Sequence, residues 1–155
     1  MPLSTIQLPE AFTSLGEALL IGLLIGAQRE AHSDEPQAGV RDFVLVALTG
    51  GVCGVLGQAW LTASALISIT LLLAVFHYQA KVRTGITTEM AAVAAFALGC
   101  LTATPGLKWG APLSIGATIV VVAFLEAKAW LHKLVRETIT EREFNDTLIF
   151  LALIL

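Results

Sequence analysis

LGEALLIGLLIGAQRE, residues 15–30, is an apolar run holding one carboxylate, Glu17, and two glycines at i, i+4, Gly22 and Gly26, before it stops on the charged pair Arg29-Glu30. Nine residues later the chain reads Gly39-Val40-Arg41-Asp42. Glycines at this spacing let helix backbones approach closely in lipid. An acid inside such a run is costly to bury, which makes Glu17 a functional candidate. The stretch predicts a membrane-spanning helix with a charged stop.

Composition extends that reading to the whole chain. Of 155 residues, 56% are hydrophobic and 14% charged, with a mean hydropathy of +0.81. This lies outside the range of soluble domains. Long apolar blocks alternate with short charged ones, the pattern of an integral membrane protein. The formal charge of −3 carries little information, because the distribution of charge matters more than its sum. Without a basic stripe or zinc-ligand spacing, no nucleic-acid partner is expected. Cys53 and Cys100 lie in apolar blocks without CxxC spacing and read as small packing residues. Residues 1–14 lack a basic leader region, so the first helix is expected to serve as its own uncleaved targeting signal.

A span needs roughly 20 residues. Blocks at 10–28, 41–58, 61–80, 87–104 and 109–129 meet or approach that length, and a sixth opens near Asp146. Arg29 and Arg41 follow the first span, Lys81 and Arg83 the third, and Lys128, Lys133, Arg136 and Arg142 the fifth. Only Lys108 falls on the opposite side, so eight of the nine basic residues share one face. The positive-inside rule assigns that face to the cytoplasm and the N-terminus to the outside.

From Ala127 to Ile139 apolar residues recur at helical spacing, opposite Lys128, His132, Lys133 and Arg136. This predicts an amphipathic helix suited to an anionic inner leaflet. Thr140-Glu141-Arg142-Glu143 reads as a capping box that starts a new helix. Its apolar part, TLIFLALIL, spans about 14 Å, half a hydrocarbon core, so the natural protein is expected to continue. The expected fold is an all-α, polytopic transmembrane helix bundle of five spans, an amphipathic cytoplasmic helix and the start of a sixth span. Its domains are a membrane unit at 1–129, a connector at 130–145 and a partial span at 146–155.

Several residues stand out chemically. Glu17, one to two turns below the outer face, reads either as an ion or proton ligand or as a carboxylate reaching the headgroups. Arg29, Glu30, Arg41 and Asp42 form a charged boundary in which Arg29 with Asp42, or Glu30 with Arg41, are placed to bridge two helix ends. Thr87 reads as an N-cap, and Glu89 suits the positive end of a helix dipole. Together Thr87, Thr88 and Glu89 also offer oxygens of the kind hard cations prefer. His77 reads as an interfacial residue. Gly50 and Gly54, and Ala91, Ala95 and Gly99, repeat the small-residue packing pattern of Gly22 and Gly26. No activated nucleophile or phosphate-binding loop is visible, so neither an enzyme nor a cofactor is expected.

Gly22-Leu-Leu-Ile-Gly26-Ala-Gln-Arg-Glu30, Ala38-Gly-Val-Arg-Asp42 and Gly85-Ile-Thr-Thr-Glu89 together resemble the MgtC/SapB membrane family. That family's first helix ends in a glutamate-arginine-glutamate run, and its second is entered through alanine-glycine-leucine-arginine-threonine. Two positions depart from this pattern, Gln28 at the first glutamate and Asp42 at the threonine. The later segments look more like longer relatives, in which an MgtC-like half precedes a second membrane half. The resemblance implies a multi-pass protein of the bacterial inner membrane, associated with growth in low magnesium.

Two functions fit. In the first, the chain is a repeat of an ion or small-solute transporter, and Glu17, Arg29 and Glu89 face one polar space. In the second, it is a regulatory protein that binds another membrane complex through its glycine faces or basic helix. The expected partners are the lipid bilayer and either a second copy or a second membrane half.

Overall fold

The computed structural model describes residues 8–31, 39–79 and 86–138, with side chains as far as Ala127. Among them are five α-helices: α1 (Leu8–Ala31), α2 (Val40–Leu56), α3 (Ala59–Gln79), α4 (Thr87–Thr102) and α5 (Gly110–Thr138). Each begins and ends within a few residues of an apolar block, apart from the C-terminal end of α5. That helix runs through the junction expected at 129–130, where neither glycine nor proline interrupts it. Residues 139–155, including the expected capping box and sixth span, lie outside the described residues.

α1, α3 and the Gly110–Ala127 portion of α5 are long and apolar enough to cross a bilayer. α2 and α4, at 17 and 16 residues, are about 26 and 24 Å long, somewhat short of a 30 Å hydrocarbon core. The protein is therefore an all-α membrane protein. Large apolar side chains such as Leu20, Leu24, Leu45, Leu71, Phe76, Ile119 and Phe124 lie exposed on its helices, as expected where lipid replaces water.

The chain divides into two compact units, Met1–Val122 and Ala123–Leu155. In the first, α1, α2 and α4 pack most extensively on one another. Glycines explain how. A Cβ at Gly22 would stand 2.6 Å from the Val44 Cα, and one at Gly26 would stand 2.8 Å from the Val40 Cα, so α1 and α2 run antiparallel in backbone contact. Further along α2, a Cβ at Gly50 would meet the Phe96 carbonyl at 2.1 Å, and one at Gly54 the Cys100 carbonyl at 2.5 Å. Gly99 returns this contact on the Ala47 carbonyl, also at 2.1 Å. α2 and α4 are thus parallel, and Phe43 of α2, Phe96 of α4 and Ile21 and Ile25 of α1 are buried. α2 ends on Gly57 in the left-handed region (φ 62°), and its N–H returns to the Cys53 and Gly54 carbonyls.

α3 buries none of its residues. In the first turns of α5, a Cβ at Gly110 would meet the Leu101 carbonyl at 2.5 Å. Ser114 and Thr118 are fully buried there, and each hydroxyl bonds a carbonyl of its own helix, Ala111 at 2.9 Å and Ser114 at 2.7 Å. Within the second unit, α5 continues as helix to Thr138.

Candidate functional site

The helix directions bring the C-terminal end of α1, the N-terminal ends of α2 and α4, and the C-terminal end of α3 to one side of the bundle. Most of the chemically notable residues gather there. Arg29, part-buried at the end of α1, donates from its guanidinium to the Thr88 hydroxyl on α4. One residue further along α4, Glu89 Oε1 lies 2.8 Å from His77 Nδ1 at the end of α3. The imidazole is 42% exposed and the carboxylate 23%, so the pair lies at an edge of the bundle. The other oxygen, Oε2, is buried and has no hydrogen-bond partner among the described residues.

The adjoining entry to α2 is held through backbone donors. Glu30 Oε2 accepts the Val40 N–H at 2.9 Å, and Asp42 Oδ2 accepts the Gly39 N–H at 2.9 Å. The Asp42 N–H returns to the Gly39 carbonyl at 3.0 Å. Both carboxylates sit where the helix dipole favours negative charge and where N–H groups lack intrahelical partners. Among the described residues neither forms the expected bridge to an arginine; each carboxylate instead accepts from a backbone N–H donor at the entry to α2. Arg41 is exposed on the first turn of α2. Asp42, in place of the family's threonine, has a structural explanation: it closes the N-terminus of α2.

Thr87 is not the N-cap. Ile86 holds that position, with no side-chain cap, and Thr87 is the first helical residue of α4. The Thr88 hydroxyl faces the Arg29 cation and Glu89 Oε1 faces His77, and no group of three His, Cys, Asp or Glu among the described residues could hold a metal ion. Glu17 is elsewhere. It lies half-buried twelve residues before Arg29 on α1, about 18 Å away along the helix. Gln28, where the family pattern has glutamate, is buried.

Sequence reasoning passed over His77 as a site residue. A signal was available, since His77 closes one span and Glu89 opens the next on the same side of the membrane. Two such ends meet whenever consecutive helices form a hairpin.

The MgtC family model matches residues 15–134, a stretch that includes all five helices except the first turns of α1 and the end of α5. No curated protein and no solved structure matches the chain.

Proposed function

We propose that this chain, which belongs to the MgtC family, is an ion-transport unit of a bacterial inner membrane. It crosses the bilayer five times, its polar end lies in the cytoplasm, and its work is tied to magnesium homeostasis. The observation that carries the reading is Glu89, whose Oε2 is buried without a hydrogen-bond partner among the described residues while Oε1 meets His77. Buried polar atoms are paired in nearly all proteins, and an orphan in a membrane protein points to a group with a task beyond packing.

The glycine faces support transport over docking. Gly22, Gly26, Gly50 and Gly54 are each in contact with a neighbouring helix of the same chain, which leaves them no surface for a partner. The polar groups meet at helix ends facing the aqueous side, where an ion would enter.

The test is flux in sealed proteoliposomes holding the full-length natural protein, read with magnesium- and proton-sensitive dyes. Glu89→Ala is expected to abolish flux while leaving the helical circular dichroism unchanged. Flux that survives the substitution removes Glu89 from the transport path.

A further inference from the structure

We propose that Cys53 and Cys100 form a redox-active dithiol that closes to an intramolecular disulfide between α2 and α4. The inference stands apart from the transport reading and rests on where the two helices touch. α2 and α4 run parallel, and Cys53 lies three residues before the end of one and Cys100 two before the end of the other. A Cβ at Gly50 would stand 3.1 Å from the Cys100 nitrogen, and one at Gly54 would stand 2.5 Å from the Cys100 carbonyl oxygen. The backbone of Cys100 is therefore seated against the turn of α2 that carries Cys53. The two thiols are near enough to interact electrostatically. Ordinary helix pairs stand about 8–10 Å apart, whereas a disulfide joins Cα atoms about 4.4–6.8 Å apart. The glycines remove that obstacle here by bringing backbone onto backbone. Packing alone asks only for a small side chain at each position, a need that Ala91, Ala92 and Ala95 meet elsewhere on α4.

The two thiols differ in access. Cys53 is 4% exposed, while Cys100 is half-buried and hydrogen-bonded to the Thr62 hydroxyl on α3. Cys100 is thus the sulfur that an external disulfide reaches. Its thiolate attacks one sulfur of that disulfide, forms a mixed disulfide and releases the first thiol. Cys53 then attacks the Cys100 sulfur and displaces the second thiol. The two protons lost by the cysteines end on the released thiols, and the two electrons reduce the external disulfide. On the proposed topology this end of the bundle faces away from the cytoplasm, where disulfides persist. Closure joins α2 and α4 covalently about one turn from their outer ends.

The test uses the full-length protein in lipid nanodiscs, reduced, treated with oxidised glutathione, alkylated and mapped by peptide mass spectrometry. Nanodiscs expose both faces, so the result depends neither on topology nor on flux. The expected product is a pair of peptides joined through Cys53 and Cys100, lighter than the reduced peptides by the hydrogens of both thiols. Alkylation is expected to be lost at both residues and restored by dithiothreitol. Cys53→Ser is expected to stop at the mixed glutathione disulfide on Cys100, whereas Cys100→Ser leaves Cys53 unmodified. Folded wild-type protein that yields no Cys53–Cys100 link, with oxidised glutathione or with the membrane-permeant oxidant diamide, overturns the inference. So does glutathione that reacts with Cys53 equally well in Cys100→Ser.

Discussion

Gly50→Ala is the substitution that most severely tests how the core is built. The added Cβ would stand 2.1 Å from the Phe96 carbonyl oxygen and 3.1 Å from the Cys100 nitrogen, where ordinary contact begins near 3.4 Å. About 1.3 Å must therefore open between α2 and α4. Neither obstacle is a side chain that can rotate aside, because both are helix backbone. Gly99 makes the reciprocal approach to the Ala47 carbonyl, also at 2.1 Å, so opening one contact opens the other. The separation loosens Phe96, Ala47 and Ala95, all of them buried. Overpacking costs about 1–3 kcal/mol where a core can adjust, and a backbone-to-backbone clash belongs at about 3 kcal/mol. That lowers the folded-to-unfolded ratio roughly a hundredfold. The assay is unfolding in mixed micelles by added dodecyl sulfate, followed by tryptophan fluorescence. Gly16→Ala is the control, since its Cβ meets nothing within 4 Å, and alanine there is expected to be neutral or mildly stabilising. If Gly50→Ala unfolds at the same midpoint as Gly16→Ala, the close α2–α4 contact is wrong.

Other substitutions separate the roles of the polar groups. Asp42→Ala removes the acceptor of the Gly39 N–H, the N3 half of a capping box, and is expected to cost about 1 kcal/mol in the same unfolding assay. Asp42→Asn should recover most of that loss. Thr88→Val takes the hydroxyl from Arg29 and is expected to destabilise by about 1–3 kcal/mol, because a part-buried guanidinium loses an acceptor. Thr118→Val is expected to stay within about 0.5 kcal/mol of wild type, since that hydroxyl satisfies itself on the Ser114 carbonyl.

The fold was more legible in the sequence than the site. Apolar blocks bounded by charge marked each helix to within a few residues, except where α5 runs past its expected end at 129. The glycine spacing of Gly22 with Gly26 and Gly50 with Gly54 named the helix faces that touch, because only a missing side chain permits that approach. Charge content could not reveal partners. Glu30, Asp42 and Arg29 look alike as members of a boundary cluster, yet two carboxylates serve backbone N–H groups and the arginine reaches a different helix. That outcome depends on which atoms the helix ends present, and residue type alone does not specify it. His77 was missed for a related reason. Its meaning comes from Glu89 across a hairpin, and the separation in sequence conceals it. Glu17 was already legible as an outer-face residue apart from the Arg29 cluster, and helix length puts the two about 18 Å apart along α1.

Transport itself is tested most directly by the full-length wild-type protein, purified and reconstituted as the sole protein in sealed liposomes. Magnesium and proton gradients are imposed in turn, and the lumenal ion is followed against protein-free liposomes. The account predicts movement of an ion by the protein unaided, at a rate that rises with the amount reconstituted. Folded, correctly inserted protein that moves no ion under either gradient would contradict it.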